Sequence, residues 1–143
     1  MQAFQLQTCA SKWFEQIMKK GLKRPLDLAI EIARSKPPII SLSEGHESRV
    51  VEAAVEAVNL GIAKIILVGN VDKVKQQLAK FHCSCPERIE IHDPTRSTLK
   101  KELSKSYYEL RKHKGMSCKE AENQSTSNLV YAALLVKNGH ADG

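Results

Sequence analysis

The 143-residue sequence has few aromatic residues and no long apolar run. Aromatic residues make up 5% of the chain, so a hydrophobic core has to be built mainly from aliphatic side chains. The longest apolar stretches, such as Ile65–Val68 and Tyr131–Val136, are far too short to cross a bilayer. Met1–Ala10 lacks the charged start and apolar stretch of a secretory signal. These absences predict a soluble, cytoplasmic protein with no membrane partner.

The sequence also lacks the cysteine pattern of a disulfide framework. Its four cysteines are Cys9, Cys83, Cys85 and Cys118, and an intracellular chain would keep them reduced. The stretch His82–Cys85, with His92 further on, is the one candidate for a metal site. Zinc usually requires at least two residues between paired cysteines and four ligands in all. We therefore expect a turn that contains thiols rather than a metal site.

Charge and composition are those of a globular protein with a basic surface. Hydrophobic residues make up 42% and charged residues 27% of the chain, and the formal net charge is +6. This charge favours anionic partners without identifying them. Because no nucleic-acid-binding motif accompanies the charge, we expect no nucleic-acid partner. The sequence also contains no phosphate loop, nucleophile elbow or dinucleotide fingerprint.

Apolar patterns of strand and helix length alternate along most of the chain. Short runs rich in β-branched residues predict strands at Ile39–Leu42, Ile65–Val68 and Ile89–Ile91. Helical spacing predicts five helices, at Leu26–Ala33, His46–Asn59, Val71–Ala79, Leu99–Leu110 (ended by Gly115) and Cys118 to about Lys137. This alternation predicts an α/β fold with a parallel sheet flanked by helices on both faces, in three layers.

Two further features concern the ends of the predicted elements. Ser117–Glu120 has the form of a capping box that opens the last helix. His140–Gly143 is predicted to be a turn that leads into a further strand. The residues before Gly21 predict at most a short helix around Trp13–Met18.

Parallel sheets bind ligands at the carboxyl ends of their strands. In this chain those ends are Ser43–His46, Gly69-Asn70 and Asp93-Pro94. Arg49 follows the first of them and falls in the first turn of a helix, where free backbone N–H groups and a guanidinium can bind an anion. In the alternative interpretation Arg49 pairs with Glu52 or solvent, and the turn has its glycine for steric reasons.

A second candidate anion site lies at the end of the fourth predicted helix. Arg111 and the next three residues, Lys112, His113 and Lys114, carry basic side chains just before Gly115. Cations are favourable at a helix carboxyl end, which explains part of this cluster. Arg111 also follows Tyr107 by four positions, at the edge of the buried stripe, so its side chain can reach from packed surface into a cleft. We therefore regard Arg111 as a candidate phosphate ligand.

Several separated segments together resemble the phosphate acetyltransferases of the phosphate acetyl/butyryltransferase family. They are YELRKHKG (Tyr108–Gly115), Glu44-Gly45 with Arg49, Gly61–Asn70, Asp93-Pro94 and Tyr131–Gly143. The segments occur in the family's order and spacing from about Ile39 to Gly143. The sequence departs from the family at Ser43, where a proline is usual, and at Asn123–Asn128, which is unusually polar.

The resemblance implies reversible acetyl transfer between acetyl phosphate and coenzyme A. Coenzyme A is a substrate in this reaction, so no cofactor is expected, and the partners would be coenzyme A or acetyl-CoA, acetyl phosphate and inorganic phosphate. Arg111 matches an arginine that engages the phosphate-bearing substrate. Arg49 matches an arginine implicated in coenzyme A recognition, plausibly at its nucleotide phosphates. The full-length enzyme would be a homodimer.

The family's catalytic aspartate and oxyanion-binding serine belong to a later part of its chain and have no counterpart here. The resemblance therefore predicts an amino-terminal fragment with no catalytic residue, inactive alone, that forms the incomplete first domain of a two-domain enzyme. Residues 1–21 would be an extension and residues 22–143 the truncated domain. Two alternatives stay open, namely an acyltransferase of the phosphate butyryltransferase type and a non-catalytic anion-binding α/β module.

Overall fold

The computed structural model describes residues 24–143. The predicted extension (residues 1–21), its possible short helix and Cys9 lie outside the described residues. The chain divides into two units, Met1–Ile32 and Ala33–Gly143. Helix α1 (Pro25–Ser35) crosses this boundary and confirms the predicted helix before Pro37. At its start, the Arg24 side chain pairs with Asp27 at 3.0 Å.

The second unit contains a parallel sheet of three strands in the order β1–β2–β3. The strands are β1 (Ile39–Leu42), β2 (Lys64–Val68) and β3 (Ile89–His92). In register, Ile40 pairs with Ile65, which in turn pairs with Ile89. The predicted strands are confirmed to within one residue, since β2 begins one residue earlier, at Lys64, and β3 ends one residue later, at His92.

Helices cover both faces of this sheet. After α1 they are α2 (Ser48–Asn59), α3 (Val71–Leu78), α4 (Lys100–Arg111), α5 (Cys118–Gln124) and α6 (Asn128–Lys137), with 3₁₀ turns at Pro86–Arg88 and Lys112–Lys114. Helices α2 and α3 pack on the face that carries Ile65 and Leu67. Helices α4 and α6 pack on the opposite face, which carries Ile66 and Val68. The predicted three-layer α/β architecture is confirmed.

Among the differences from the predicted helix bounds, two change how a residue or an element is interpreted. Helix α2 begins at Ser48 rather than His46, so His46 belongs to the preceding loop. The single helix predicted through Lys137 is wrong, because α5 ends at Gln124 and α6 begins at Asn128. In the break, Ser125 Oγ donates to Glu122 O at 2.9 Å and Thr126 Oγ1 donates to Asn123 O at 2.6 Å. Such local hydrogen bonds compete with helix continuation, so the polar run noted in the sequence separates α5 from α6.

The capping box that opens α5 is confirmed. The Glu120 backbone N–H donates to Ser117 Oγ at 3.2 Å, and the Ser117 backbone N–H donates to Glu120 Oε2 at 2.8 Å. The backbone N–H and the hydroxyl of Ser117 both donate to Glu120 Oε2 and lower the pKa of the Glu120 carboxyl, because they favour its charged form.

The last residues lie along the edge of β1 that β2 does not occupy. The Gly143 backbone N–H donates to Ile39 O at 3.3 Å, and the Ser41 N–H donates to Gly143 O at 2.7 Å. This pattern places Gly143 beside Ile40 as in a parallel strand pair. Among residues 24–143, no helix is long and apolar enough to cross a membrane.

Candidate functional site

The loops at the carboxyl ends of the three strands meet at one edge of the sheet. The Gly45 backbone N–H donates to Val68 O at 3.2 Å, and the Gly69 N–H donates to His92 O at 2.9 Å. Gly45 permits this close approach, since a Cβ atom there would lie 3.0 Å from Val68 O. The three loops at which the sequence predicts ligand binding therefore lie next to one another.

Two cavities lie along this edge, and Asp93 lines both of them. The first has a volume of about 320 Å³, and its polar lining residues include His46, Asn70, Lys73, Asp93, Thr126 and Asn128. The second has a volume of about 290 Å³, and its apolar lining residues are Val71, Ile91 and Leu99. We call the two cavities together the strand-end groove. Such a mixture of apolar wall and convergent polar groups is typical of small-ligand sites.

Asp93 is the buried acid of the strand-end groove, with 8% of its surface exposed. The backbone N–H and the hydroxyl of Thr95 donate to Asp93 Oδ1 at 2.9 and 2.6 Å. The Thr95 hydroxyl is the main cause that lowers the pKa of Asp93; burial acts in the opposite direction, and the nearby Arg96 charge lowers the pKa further. Asp93 is therefore a fixed anionic acceptor at neutral pH.

The other carboxylate oxygen of Asp93 is available to a ligand. Oδ2 has no hydrogen-bond partner among the described residues. It is not sealed in either, because Ser41 Oγ is the one fully enclosed side-chain polar atom without a partner in the described part of the chain. Asp93 therefore has one oxygen that is held by Thr95 and one that keeps some contact with solvent.

The facing wall of the groove carries hydrogen-bond donors. The Lys73 side chain is exposed and has no ion pair among the described residues. Asn70 Oδ1 accepts from the Lys73 backbone N–H at 3.2 Å and caps α3, which leaves the Asn70 amide nitrogen for a ligand. Ser127 precedes α6 without a side-chain capping hydrogen bond, so the first backbone N–H groups of α6 lack that partner.

A buried hydrogen-bond network behind the groove was missed by sequence reasoning. The hydroxyl of fully buried Tyr131 donates to Ser97 Oγ at 2.5 Å and lies 3.3 Å from His92 Nδ1. Burial is the main cause that raises the pKa of Tyr131. The network ties the loop after β3 to helix α6. The only sequence signal for it is a polar tip within an apolar run, which requires a partner when buried but does not identify one.

Arg49 lies in the first turn of α2, as predicted, and its side chain is exposed. Its guanidinium has no hydrogen bond or ion pair among residues 24–143, and Glu52 in particular is not its partner. Arg49 lines neither cavity of the strand-end groove. The structure thus leaves Arg49 available to an anion, and its role stays a prediction.

Arg111 is the last residue of α4, and its guanidinium lies 5.8 Å from the centre of the Tyr107 ring. It lines a separate cavity of about 250 Å³, together with Lys114, Glu120 and Gln124. No carboxylate within the described residues pairs with Arg111. Arg49 and Arg111 therefore do not share a cavity in the described part of the chain.

Arg111 and the adjacent Lys112 differ in their ion pairing. Lys112 forms an ion pair with Glu109, whose hydrogen bond and charge raise the pKa of Lys112. Gly115 then ends the helical segment with φ +81°, a left-handed conformation that glycine adopts readily.

The backbone of the candidate metal stretch is hydrogen-bonded to the Asn59 side chain of α2. Asn59 Nδ2 donates to His82 O at 3.0 Å, and the Ser84 N–H donates to Asn59 Oδ1 at 2.8 Å. Cys83 and Cys85 are free thiols, and both are partly buried against the hydrophobic core between the sheet and helices α2 and α3. Within the described residues, no group of three or more potential ligands is arranged around a metal position.

These features define a three-layer α/β domain with a groove at the carboxyl ends of its strands. Residues 26–143 match the family described as phosphate acetyl/butaryl transferase, and the chain belongs to this family. A phosphate acetyltransferase of Clostridium acetobutylicum is 34% identical over 113 residues, which are 79% of this chain and 34% of the relative. One from Acetivibrio thermocellus is 35% identical over 118 residues, covering 82% and 35%.

Solved structures agree with this assignment. The EutD phosphotransacetylase of Staphylococcus aureus superposes with a TM-score of 0.69 at 26% identity, covering 83% of this chain and 37% of that one. A phosphotransacetylase of Streptococcus pyogenes has a TM-score of 0.71 at 24% identity and supports the fold. The chain spans about a third of the length of the curated relatives named above.

Proposed function

We propose that this chain supplies substrate-binding groups for reversible acetyl transfer between acetyl phosphate and coenzyme A. The observation that carries the proposal is the unpaired guanidinium of Arg111, which lines its own cavity and belongs to the segment YELRKHKG. Relatives that match this chain are named phosphate acetyltransferases. A phosphate-bearing substrate fits an arginine that forms no ion pair with a carboxylate among residues 24–143.

The reaction sets the task of each group. The thiolate sulfur of coenzyme A attacks the carbonyl carbon of acetyl phosphate, the new C–S bond forms, and the C–O bond to phosphate breaks with release of inorganic phosphate. A cation near the leaving phosphate stabilises its developing charge. Arg111 performs this role in our proposal, because its planar fork of donors matches phosphate oxygens better than an ammonium does.

Arg49 binds the nucleotide phosphates of coenzyme A in this proposal. Its position supports the role, since an exposed guanidinium in the first turn of α2 adds to the positive end of the helix dipole. Coenzyme A enters as a substrate, so the proposed reaction uses no resident cofactor. We also propose that the full-length enzyme is a cytoplasmic homodimer, with exposed Leu129 and Val136 on α6 as part of its apolar contact surface.

The proposal predicts binding without turnover for the 143-residue chain by itself. The family resemblance assigns the thiol base and the oxyanion donor to residues that have no counterpart in the chain. Residues 1–143 should therefore form no acetyl-CoA from acetyl phosphate, and exposed apolar residues should make the chain self-associate in light scattering. Turnover comparable to that of a full-length relative would show that the chemistry resides in this part.

A chimera tests the role of Arg111 in an enzyme that can turn over. Residues 26–143 would replace the matching part of the Clostridium acetobutylicum phosphate acetyltransferase, with acetyl-CoA formation as the readout. Arg111→Ala should lower kcat/KM at least about tenfold, the loss typical of one charge-assisted hydrogen bond. Arg111→Lys should restore part of it. Lys101→Ala, at an exposed position of the same helix, is the control.

The outcomes of this experiment separate the candidate functions. Unchanged kinetics of Arg111→Ala in an active chimera would remove Arg111 from the site. Faster turnover of butyryl phosphate than of acetyl phosphate would favour the butyryltransferase alternative. Phosphate binding by a chimera that folds but lacks all turnover would favour the anion-binding module.

A further inference from the structure

The cavity that Arg111 lines is also lined by Lys114. The two residues lie three positions apart, at the end of the helical segment that Gly115 closes, and they share a space of about 250 Å³. Among residues 24–143, neither side chain forms an ion pair with a carboxylate. An anion that Arg111 holds in this cavity therefore lies next to an unpaired lysine.

Glu120 is the one acidic residue among those that line this cavity. Its carboxylate belongs to the capping box of α5, where the backbone N–H and the hydroxyl of Ser117 both donate to Oε2 at 2.8 Å. The lining residues thus carry two formal positive charges, on Arg111 and Lys114, and one negative charge. This balance favours an anionic ligand.

The other lysine of the segment, Lys112, has a different environment. It does not line the cavity. It forms an ion pair with Glu109, whose hydrogen bond and charge raise the pKa of Lys112 and keep its amine protonated. Because a protonated amine has no lone pair, it is not a nucleophile. Of the two lysines, Lys114 therefore combines a place beside the bound anion with an amine that pairs with no described carboxylate.

An acyl phosphate joins an anionic phosphate group to an electrophilic carbonyl carbon. In the proposed function Arg111 binds the phosphate group of such a molecule, acetyl phosphate. Its carbonyl carbon then lies in the cavity that Lys114 lines. Reactants held together in this way react as if within one molecule, which is much faster than reaction between the same groups in free solution.

We propose that acetyl phosphate bound at Arg111 acetylates the side-chain amine of Lys114. The unprotonated amine attacks the carbonyl carbon and a C–N bond forms. The C–O bond to phosphate breaks, and phosphate leaves with the bonding electron pair. The nitrogen then releases one proton, so that the products are a neutral amide and hydrogen phosphate. This inference rests on the proposed function, because it requires the phosphate site at Arg111.

Acetylation changes the charge of the cavity. It converts the Lys114 ammonium into a neutral amide, so that Arg111 alone balances the charge of Glu120. The lining residues then carry no net formal charge, and phosphate groups bind more weakly. Modification by acetyl phosphate therefore lowers the affinity of the cavity for acetyl phosphate itself.

Peptide mass spectrometry of the 143-residue chain after incubation with acetyl phosphate tests the inference. Lys114 should be acetylated at least about tenfold faster than Lys119, an exposed lysine that does not line the cavity. Arg111→Ala should slow acetylation of Lys114 at least about tenfold, the loss typical of one charge-assisted hydrogen bond, and should leave Lys119 unchanged. Lys101→Gln removes a charge from an exposed position of α4 and should change neither rate.

A donor without a phosphate group is the second control. p-Nitrophenyl acetate carries the same acetyl group and should show no preference for Lys114 over Lys119. Calorimetry with inorganic phosphate measures the effect of the modification on binding. Lys114→Gln, which is neutral like acetylated lysine, should weaken phosphate binding by about two- to fivefold, as expected for one exposed charge. Lys114→Arg keeps the charge and should preserve binding.

The outcomes distinguish this inference from the proposed function. Equal acetylation of Lys114 and Lys119 by acetyl phosphate, or an unchanged rate at Lys114 in Arg111→Ala, would overturn the inference. A preference for Lys114 with p-nitrophenyl acetate would also overturn it, because the selectivity would then not depend on phosphate. If phosphate binds and is lost in Arg111→Ala while Lys114 is not preferred, the proposed function stands without the inference. A chain that binds no phosphate would contradict both.

Discussion

The face of the sheet that α2 and α3 cover differs from the face that α4 and α6 cover in how its helices bury apolar residues. Helix α2 turns its aliphatic residues inward and exposes Glu52 and Glu56. Helix α6 is apolar on almost every side, with Leu135 buried and Leu129 70% exposed. On the first face an amphipathic pattern is enough to orient a helix. On the second face the apolar pattern of α6 does not define its orientation, so specific contacts such as the Tyr131 hydrogen bond have to orient this helix.

The largest expected effects come from replacing one buried leucine with alanine on each face of the sheet. Leu67 on the first face and Leu135 on the second are both fully buried. Each change to alanine should lower the free energy of unfolding by about 2–5 kcal/mol. Leu67→Ala should be the costlier one, because α6 has an exposed outer side and can move toward a cavity more easily than the central strand can. Urea unfolding measures both losses, and a larger loss for Leu135→Ala would break the comparison.

A smaller effect is expected where the first face reaches the strand-end groove. Gly45→Ala would place a Cβ atom 3.0 Å from Val68 O and 3.2 Å from Leu67 Cβ. Overpacking of this kind should cost about 1–3 kcal/mol of unfolding free energy. Gly143→Ala adds the same methyl group 3.4 Å from Ile40 Cδ1, an ordinary contact, and is the control in thermal melts. Equal stability of the two variants would show that the loop at Gly45 can shift to accommodate the methyl group without a loss of unfolding free energy.

The second face should respond to the loss of a single hydroxyl. Tyr131→Phe keeps the ring but removes the partner of Ser97 Oγ and of His92 Nδ1. Loss of a buried hydrogen-bond partner typically costs about 1–3 kcal/mol. Tyr107→Phe removes the hydroxyl that donates to exposed Gln124 at 3.0 Å, and should cost less because water replaces that bond. Unfolding curves that show no difference between the two variants would mean that the buried network does not stabilise the second face.

The same contrast explains which parts of the fold could be predicted from the sequence. The strand Ile39–Leu42 and the helix that ends at Asn59 were predicted correctly. Their positions follow from the spacing of apolar residues alone. The break between α5 and α6 was not predicted, because the run of apolar residues from Tyr131 masks the local hydrogen bonds of Ser125 and Thr126.

The candidate site was predictable only in part, for a related reason. The strand ends and the positions of Arg49 and Arg111 follow from chain order and helix spacing. The separation of these arginines from the strand-end groove depends on how loops far apart in sequence meet. The buried acceptor Asp93 and its Thr95 donor likewise depend on the conformation of one loop, which no periodicity encodes.

The smallest expected effect concerns the pH dependence contributed by Asp93, which lies where the loops of both faces meet. Hydrogen bonds from Thr95 lower the pKa of Asp93 below its usual value of 3.8. A carboxyl whose pKa is lower in the folded state stabilises the fold above its unfolded pKa, and this contribution disappears as the pH falls through the folded value. Wild type and Asp93→Asn should therefore differ in unfolding free energy by a constant amount from pH 7 to about pH 5. The difference should change on further acidification, with wild type losing stability relative to the variant. Thr95→Val removes the hydroxyl that is the main cause of the shift, so the total loss should be smaller in that background and should be complete at a higher pH. Urea unfolding of the variants from pH 7 to pH 3 measures these differences. A difference that stays constant over the whole range would show that Asp93 binds protons equally well in the folded and unfolded chains.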